Sequence, residues 1–256
     1  MRSLIRHIAN TNTGIMFRNL IGFRPVHLSI YHIKETTSVS DAFCWRTDND
    51  FKTIFNYSDI LDLYYKIKNS YVEILFFSKN NELIKRINFK SLKLSNKLII
   101  DNKFLDGVND YGVFYIFHRF NEDIENKFII SNRCYSGFSY KNNINSFVHG
   151  NIYARYQNLK GENQKSDIVK TTLFTNQIYR IQNCFRGMSK SELFFANPTS
   201  TRINFTINQN KYTLNKGCSK IIDISNEEEI TVLSNCSLLR PIVFNYKGNF
   251  IDVYHG

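Results

Sequence analysis

Apolar residues in this chain recur in short runs, and several runs alternate with a period of two. In Arg202–Asn208, Ile203, Phe205 and Ile207 fall on one side, while Asn204, Thr206 and Asn208 fall on the other. Because successive side chains of an extended strand point to opposite faces, this pattern predicts a half-buried β-strand. Comparable β-branched and aromatic runs occupy Val26–Ile33, Tyr71–Ser78, Leu83–Phe89, Lys97–Ile100, Tyr111–Phe120, Lys127–Ser131, Glu192–Ala196, Lys220–Ile224, Glu229–Leu233 and Pro241–Tyr246. Turn-forming residues separate them, as at Lys79–Glu82, Asp106-Gly107, Asn197–Thr199, Asn215–Gly217 and Lys247–Asn249. Helical spacing is rare. The best candidate is Tyr57–Lys68, with Ser58 as its N-cap and an apolar face of Ile60, Leu61, Tyr64, Tyr65 and Ile67. A short amphipathic helix is also expected around residues 14–21, packed on the body of the protein or touching a membrane surface.

The chain resembles itself. EILFF (73–77) returns as ELFF (192–195), Arg86–Phe89 returns as Arg202–Phe205, and KLIID (97–101) returns as SKIID (219–223). SNRC (131–134) is echoed by SNC (234–236), and FSYKNNINSFVHG (138–150) by FNYKGNFIDVYHG (244–256), the last pair without a gap. The order is collinear, which points to two copies of one antiparallel unit. The fold expected is all-β: two tandem antiparallel β-sandwich, jelly-roll-like units from an internal duplication. Residues 1–25 form an N-terminal extension, 26–150 the first unit and 151–256 the second.

Composition narrows the classes. Of 256 residues, 43% are hydrophobic, enough for a real core. Phe (22) and Tyr (15) are abundant, and Gly (11) and Pro (3) are scarce, which excludes collagen-like and Pro-rich chains. The formal charge of +11 fits a polyanion, glycan or membrane surface in principle. Its Lys and Arg are interspersed with acids, however, without a block of like charge, so a solvated basic face is preferred and nucleic acid is disfavoured. The 32 Asn residues, with frequent Ile, Lys, Phe and Tyr, fit AT-rich coding and weaken any argument from charge. No apolar stretch reaches the ~20 residues of a spanning helix, and no secretory signal is evident. Five cysteines without C-x2-C spacing read as free thiols in a reducing cytoplasm, with no metal and no cofactor expected.

Chemistry-bearing residues cluster in one place. Asp41–Asp50 holds the only Trp, and Trp45, Arg46 and Asp48 together offer a stacking face and directional bonds, as a sugar or nucleoside site requires. The competing reading is a core Trp followed by a polar hairpin. Cys44 reads as a small buried hydrophobe, since no base is placed to activate it. His149 and His255 occupy matching places in the duplication; each is a candidate acid/base or an edge residue, and neither has metal-ligand spacing. His118, Arg119, Arg133 and Arg186 lie beside aromatic residues, where arginine stacks or holds an anion.

Asn197-Pro198-Thr199 opening a strand, with Arg240–Phe244 as a terminal strand, resembles the small β-sandwich domains of the sensory-rhodopsin-transducer type and uncharacterised bacterial proteins of two-copy layout. That resemblance implies ligand or partner binding, with carbohydrate among the ligands, and no catalytic residue. Three functions follow as expectations. The first is a non-enzymatic binding or assembly module contacting a glycan or another anionic ligand at Trp45, Arg46 and Asp48. The second is an enzyme on sugars or nucleotide sugars in the cleft between the units, using His149 with Asp48 or His118. The third is a structural protein forming homo-oligomers through sheet edges.

Overall fold

A computed structural model describes residues 5, 8–9, 11–21, 36–121, 129–132, 134–158, 164–165, 171, 176–181, 187–224, 229–236 and 239–256. The expected strand Val26–Ile33, the first two residues of Lys127–Ser131, and Arg133, Cys184 and Arg186 lie outside the described residues. The chain is all-β, 58% strand and 8% helix. Helix α1 (Asn12–Leu20) is followed by strands β1 (Thr37–Arg46) and β2 (Phe51–Tyr57), then helix α2 (Ile60–Tyr65). Next come β3 (Tyr71–Ser78), β4 (Leu83–Lys90), β5 (Asn96–Ile100), β6 (Tyr111–Arg119), β7 (Ile129–Asn132), β8 (Tyr135–Tyr140), β9 (Ser146–His149), β10 (Asn151–Asn158) and β11 (Gln164–Lys165). The remainder supplies β12 (Gln177–Ile181), β13 (Lys190–Ala196), β14 (Ile203–Ile207), β15 (Asn210–Leu214), β16 (Ser219–Ile224), β17 (Ile230–Ser234), β18 (Ile242–Lys247) and β19 (Phe250–His255).

These strands make four sheets in a propeller-like ring, although none is the sequential meander of a blade. Sheet I runs β11-β10-β1-β6-β3-β4, with β7 parallel to β1; sheet II runs β5-β2-β8-β9; sheet III runs β12-β17-β14-β15; sheet IV runs β16-β13-β18-β19. The path β1-β6-β3-β4 has the same connectivity as β12-β17-β14-β15, and β5-β2-β8-β9 the same as β16-β13-β18-β19. The repeated letters follow this correspondence only in part. KLIID and SKIID sit on matching strands, β5 and β16, and the FSYK and FNYK segments sit on matching hairpins. EILFF and ELFF lie on β3 and β13, whose counterparts are β14 and β2; the two Arg-Ile-Asn-Phe segments lie on β4 and β14, equally mismatched. Those short matches reflect shared strand composition, not shared position.

Two boundaries move. Residues after Gly150 continue sheet I, because β10 pairs with β1 over Thr37↔Asn158 to Ala42↔Asn151. The second set of four-stranded sheets begins at β12. The helix expected over Tyr57–Lys68 is only Ile60–Tyr65, capped by Asp59 rather than Ser58: its carboxylate accepts from the Asp62 amide at 3.1 Å. Lys66 at φ 60° ends it, and only Leu61 is buried, so the tyrosines expected on a core face stay outside. Tyr57 is drawn instead into β2, where a full ladder to Asn96 satisfies its backbone.

Three large cores hold the sheets. Phe43, Trp45, Val72, Ile74, Phe76 and Phe114 of sheet I meet Phe55, Tyr57 and Ile100 of sheet II. Leu193, Phe195, Ile222 and Val243 of sheet IV meet Ile203, Phe205, Ile230 and Val232 of sheet III. The third core joins the halves: Ala42, Cys44, Leu75, Val113 and Tyr115 from the opposite face of sheet I pack with Phe194, Ile242, Phe244 and Val253 of sheet IV and with Phe51 and Phe138 of sheet II. Sheets I and IV are therefore apolar on both faces, as their continuous runs of buried positions show.

Candidate functional site

The segment Trp45–Asp48 was the leading sequence candidate, and the structure places it inside. Trp45 has no exposed surface, and its indole nitrogen donates to the Phe77 carbonyl at 2.9 Å. Gly112 makes this possible: a Cβ there would lie 2.8 Å from the indole nitrogen. The ring offers no face to a sugar, which corrects the expected stacking platform. The indole combines a large apolar body with one donor, and both are used up in the core.

Arg46 is equally buried, and it is an anchor between the halves. Its guanidinium grips Asp48 through two bonds of 3.0 and 2.7 Å and Glu192 of β13 at 2.5 Å, and it donates to the Tyr246 hydroxyl at 3.1 Å. It lies over the Phe51 ring at 4.1 Å and the Phe244 ring at 4.9 Å. Glu192 also accepts from Lys190 at 2.6 Å and from the Tyr246 hydroxyl at 2.6 Å. Burial alone raises the Glu192 pKa, but Arg46, Lys190 and Tyr246 outweigh it and hold the carboxyl below its ordinary value. Burial pushes the Tyr246 and Cys44 pKa values up, so both stay protonated. With four of its five N–H groups bonded within the protein and the guanidinium buried, Arg46 is not presented to an anionic solute. Arg119 is similarly committed, to Glu73 at 2.6 Å and to Gln157.

The histidines do not converge with a carboxylate. Tyr111 is in register with Arg46 on β1, and His118 lies seven residues further along β6, roughly 23 Å at strand spacing. His118 is fully buried, and neither ring nitrogen has a hydrogen-bond partner among the described residues. Burial drops its pKa to about 3, so the imidazole is neutral. His149 is exposed at the end of β9, facing Asn56 through Tyr135, about 17 Å along β2 from Phe51. The dyads of His149 with Asp48 and of His118 with Asp48 are thus not assembled. His149 instead neighbours its counterpart His255, whose pKa is lowered to about 4 by burial, with Arg240 and the His149 charge adding to the effect. Among the described residues no three His, Cys, Asp or Glu side chains gather as metal ligands.

The exposed chemistry lies on the outer face of sheet II, which sequence reasoning passed over. Strand registry sets its rows: Ile99, Ile54, Gly137 and Phe147 lie in one line, and Lys97, Asn56, Tyr135 and His149 in the next. Tyr135 and Phe147 are 47% and 43% exposed and Ile99 is 50% exposed, so this face carries aromatic surface in solvent. The Tyr135 and His149 rings stand 4.1 Å apart. Gly137 is the floor: a Cβ there would run into the Phe147 ring, so the missing side chain lets that ring lie across the strand.

The same face runs into a cleft of about 460 Å³ at the loop end, lined by Thr47, Asp50, Lys52, Asp101, Asn102, Asn109, Lys141 and Asn142 together with Phe51. Lys52 shares the outer face with Ile54 and donates to Asn142 at 2.8 Å, joining platform to cleft. Asn49, Asp50, Lys141 and Asn142 adopt positive φ between 48° and 63°, tight turns that aim amides and carboxylates at one space. Asp101 and Thr47 hold the opposite wall through bonds to the Phe104 amide at 2.8 Å and the Val108 carbonyl at 2.8 Å.

No known protein family, curated protein or solved structure matches this chain. The likeness to sensory-rhodopsin-transducer-type domains therefore rests on the quoted residues alone, and Asn197 has a structural use there: its amide donates to the carbonyls of Thr201, Leu214 and Asn215 at 2.8–3.0 Å. The signal that would have found the platform was Tyr135-x-Gly137 followed ten residues on by Phe147-x-His149, an aromatic pair flanking a strand glycine. Only the hairpin register shows that the four residues share a face.

Proposed function

We propose that the protein is a binding module for an oligosaccharide, seated on the outer face of sheet II with one end in the adjoining cleft. The observation that carries the reading is the pairing of Tyr135 and Phe147, two half-exposed rings on one flat sheet face, with an amide- and carboxylate-lined cleft in line with them. Sugar rings present C–H faces that pack on aromatic faces and hydroxyls that both donate and accept. The cleft supplies acceptors in Asp50 and Asp101, two-way partners in Asn102, Asn109 and Asn142, and donors in Lys52 and Lys141. Arg46 and Asp48 contribute indirectly, by fixing the turn that carries Asp50. A ligand chemistry based on one reacting centre has less support, because the candidate acid/base groups lie on different elements.

We also infer that the halves descend from one duplicated sandwich unit. The matched strand orders support this, as do KLIID and SKIID, whose Ile100 and Ile222 both point at the partner sheet.

The test is titration of a panel of neutral and acidic oligosaccharides, followed by amide chemical shifts. Binding should perturb Gly137, Phe147 and Asn142, and Tyr135→Ala with Phe147→Ala should weaken it about tenfold or more by removing both stacking faces. Silence across the panel, or shifts confined to another surface, overturns the assignment.

A further inference from the structure

The outward side chains of sheet II fall into rows set by the strand register. One row crosses all four strands: Ile99 on β5, Ile54 on β2, Gly137 on β8 and Phe147 on β9. At the usual spacing between strands it is about 14 Å long. Every side chain in it is apolar. Ile99 and Phe147, at its two ends, are half-exposed, and Ile54 between them is buried. The Phe147 ring occupies the space that a Cβ on residue 137 would fill, so it lies down along the sheet and closes the gap in the row. Polar rows bound this strip on both sides, each about 7 Å away. One holds Lys97, Asn56, Tyr135 and His149, and the other holds Lys52 and Ser139. Past Ile100 the chain leaves β5 through Asp101 and Asn102, which line the cleft. The outward row of sheet III makes a control. It reads Ile178, Leu233, Thr206 and Lys211, so a hydroxyl and an ammonium interrupt it and no aromatic ring joins it.

A continuous, flat apolar strip with hydrogen-bonding groups along both edges selects a ligand of the same build. Pyranoses whose hydroxyls and linkages are all equatorial carry C–H groups on both ring faces and hydroxyls around the rim. Joined through β-linkages, such rings make a straight, flat ribbon. Its faces meet the strip and its edges meet the polar rows, where Lys97, Lys52 and the Asn56 amide donate and Asn56 and Tyr135 also accept. An α-linked chain of the same sugar coils and lays fewer rings on a flat surface. On the basis that sheet II takes an oligosaccharide, we infer that the chain is a β-linked ribbon of equatorial pyranoses, laid across the strands over Phe147, Ile54 and Ile99. The end at Ile99 then lies two residues from Asp101 and enters the cleft there.

The experiment compares cellodextrins with maltodextrins of equal length, the same glucose units joined by β- and by α-linkages. Each is titrated into the full chain and followed by the Ile99 methyl and Phe147 ring signals. The cellodextrins should bind about tenfold more tightly or better, the worth of one additional apolar contact. Their affinity should rise with length up to the roughly three rings that fit along the row, then level off. Ile99→Asp, at an exposed end of the strip, should weaken cellodextrin binding about tenfold, while Ile178→Asp on sheet III should leave it unchanged. If Ile99→Asp unfolds the sheet, Ile99→Ala reads the same contact at smaller amplitude. Equal or tighter binding of the maltodextrins at this face overturns the linkage class and leaves the oligosaccharide site standing. So does silence from both families while another saccharide shifts the same signals. Silence from every saccharide removes the site itself, and a single-stranded RNA that binds here in place of any sugar overturns both readings.

Discussion

Sheets II and IV have one connectivity and opposite fates. The face of sheet IV turned away from sheet III carries Phe194, Ile221, Ile242, Phe244 and Val253, and it is buried in the core between the halves. The corresponding face of sheet II carries Ile99, Phe147 and His149, which meet water, with Gly137 buried beneath the Phe147 ring. Ile99 and Ile221 occupy the same place in KLIID and SKIID, yet Ile99 is half exposed while Ile221 packs against the central core. In the second half this face holds the molecule together, while in the first half it keeps Ile99, Tyr135 and Phe147 partly in solvent. Loop length contributes to the divergence. The β18–β19 turn has two residues, Gly248-Asn249, and pairs Phe244 with Val253. The longer β8–β9 loop pairs Phe138 with Ser146, one residue out of step with the repeat. A one-residue slip moves a strand's side chains to the opposite face. Phe138 and Phe244, the same letter of the repeat, meet at 4.9 Å across the join.

The contrast can be broken most sharply by truncating one ring on each face. Phe244→Ala should cost about 3–5 kcal/mol in urea unfolding, because a fully buried ring leaves a cavity. Phe147→Ala should cost under about 1 kcal/mol; equal losses would mean that the two faces are not differently used. Glu192→Ala should cost about 3 kcal/mol, since it strips one partner from a buried guanidinium that keeps only Asp48 and Tyr246. A loss near zero in the same unfolding assay would show that the anchor is dispensable.

Acid should act through the buried imidazole. The folded-state pKa of His118, about 3, lies below the ordinary value of 6.5, so the unfolded chain binds the extra proton first. Stability is complete above about pH 6.5 and is lost as the pH falls from there toward 3, by on the order of 2–4 kcal/mol at the acid end. His255 adds to this down to about 4. His118→Leu should flatten part of the slope in a series of unfolding curves against pH; an unchanged slope would place the acid sensitivity elsewhere. Gly137→Ala tests the floor of the exposed face. It should shift stability by about 1 kcal/mol while displacing Phe147, seen as a change in the Phe147 ring proton shifts and weaker oligosaccharide binding.

Much of the architecture was legible from the letters. Period-two runs such as Ile203–Ile207 became strands where expected, and the matching hairpins at 138–150 and 244–256 hold corresponding places. The site was not legible in the same way. Trp45 beside Arg46 and Asp48 has the composition of a ligand site, but an indole and a guanidinium serve equally well as core and anchor, and only burial separates the two uses. Tyr135 and Phe147 are twelve residues apart, and nothing local says that the glycine within β8 leaves room for the Phe147 ring.

The sequence by itself determined that this chain forms strands and where most of them lie, because alternation and turn chemistry act over a few neighbouring residues. Tertiary structure decided which of two equivalent sheet faces is core and which is surface. It also decided that Arg46 reaches Glu192, 146 positions away, rather than a ligand. Those outcomes depend on how whole sheets stack and on single-residue register, which sum contacts between distant segments that no local pattern encodes.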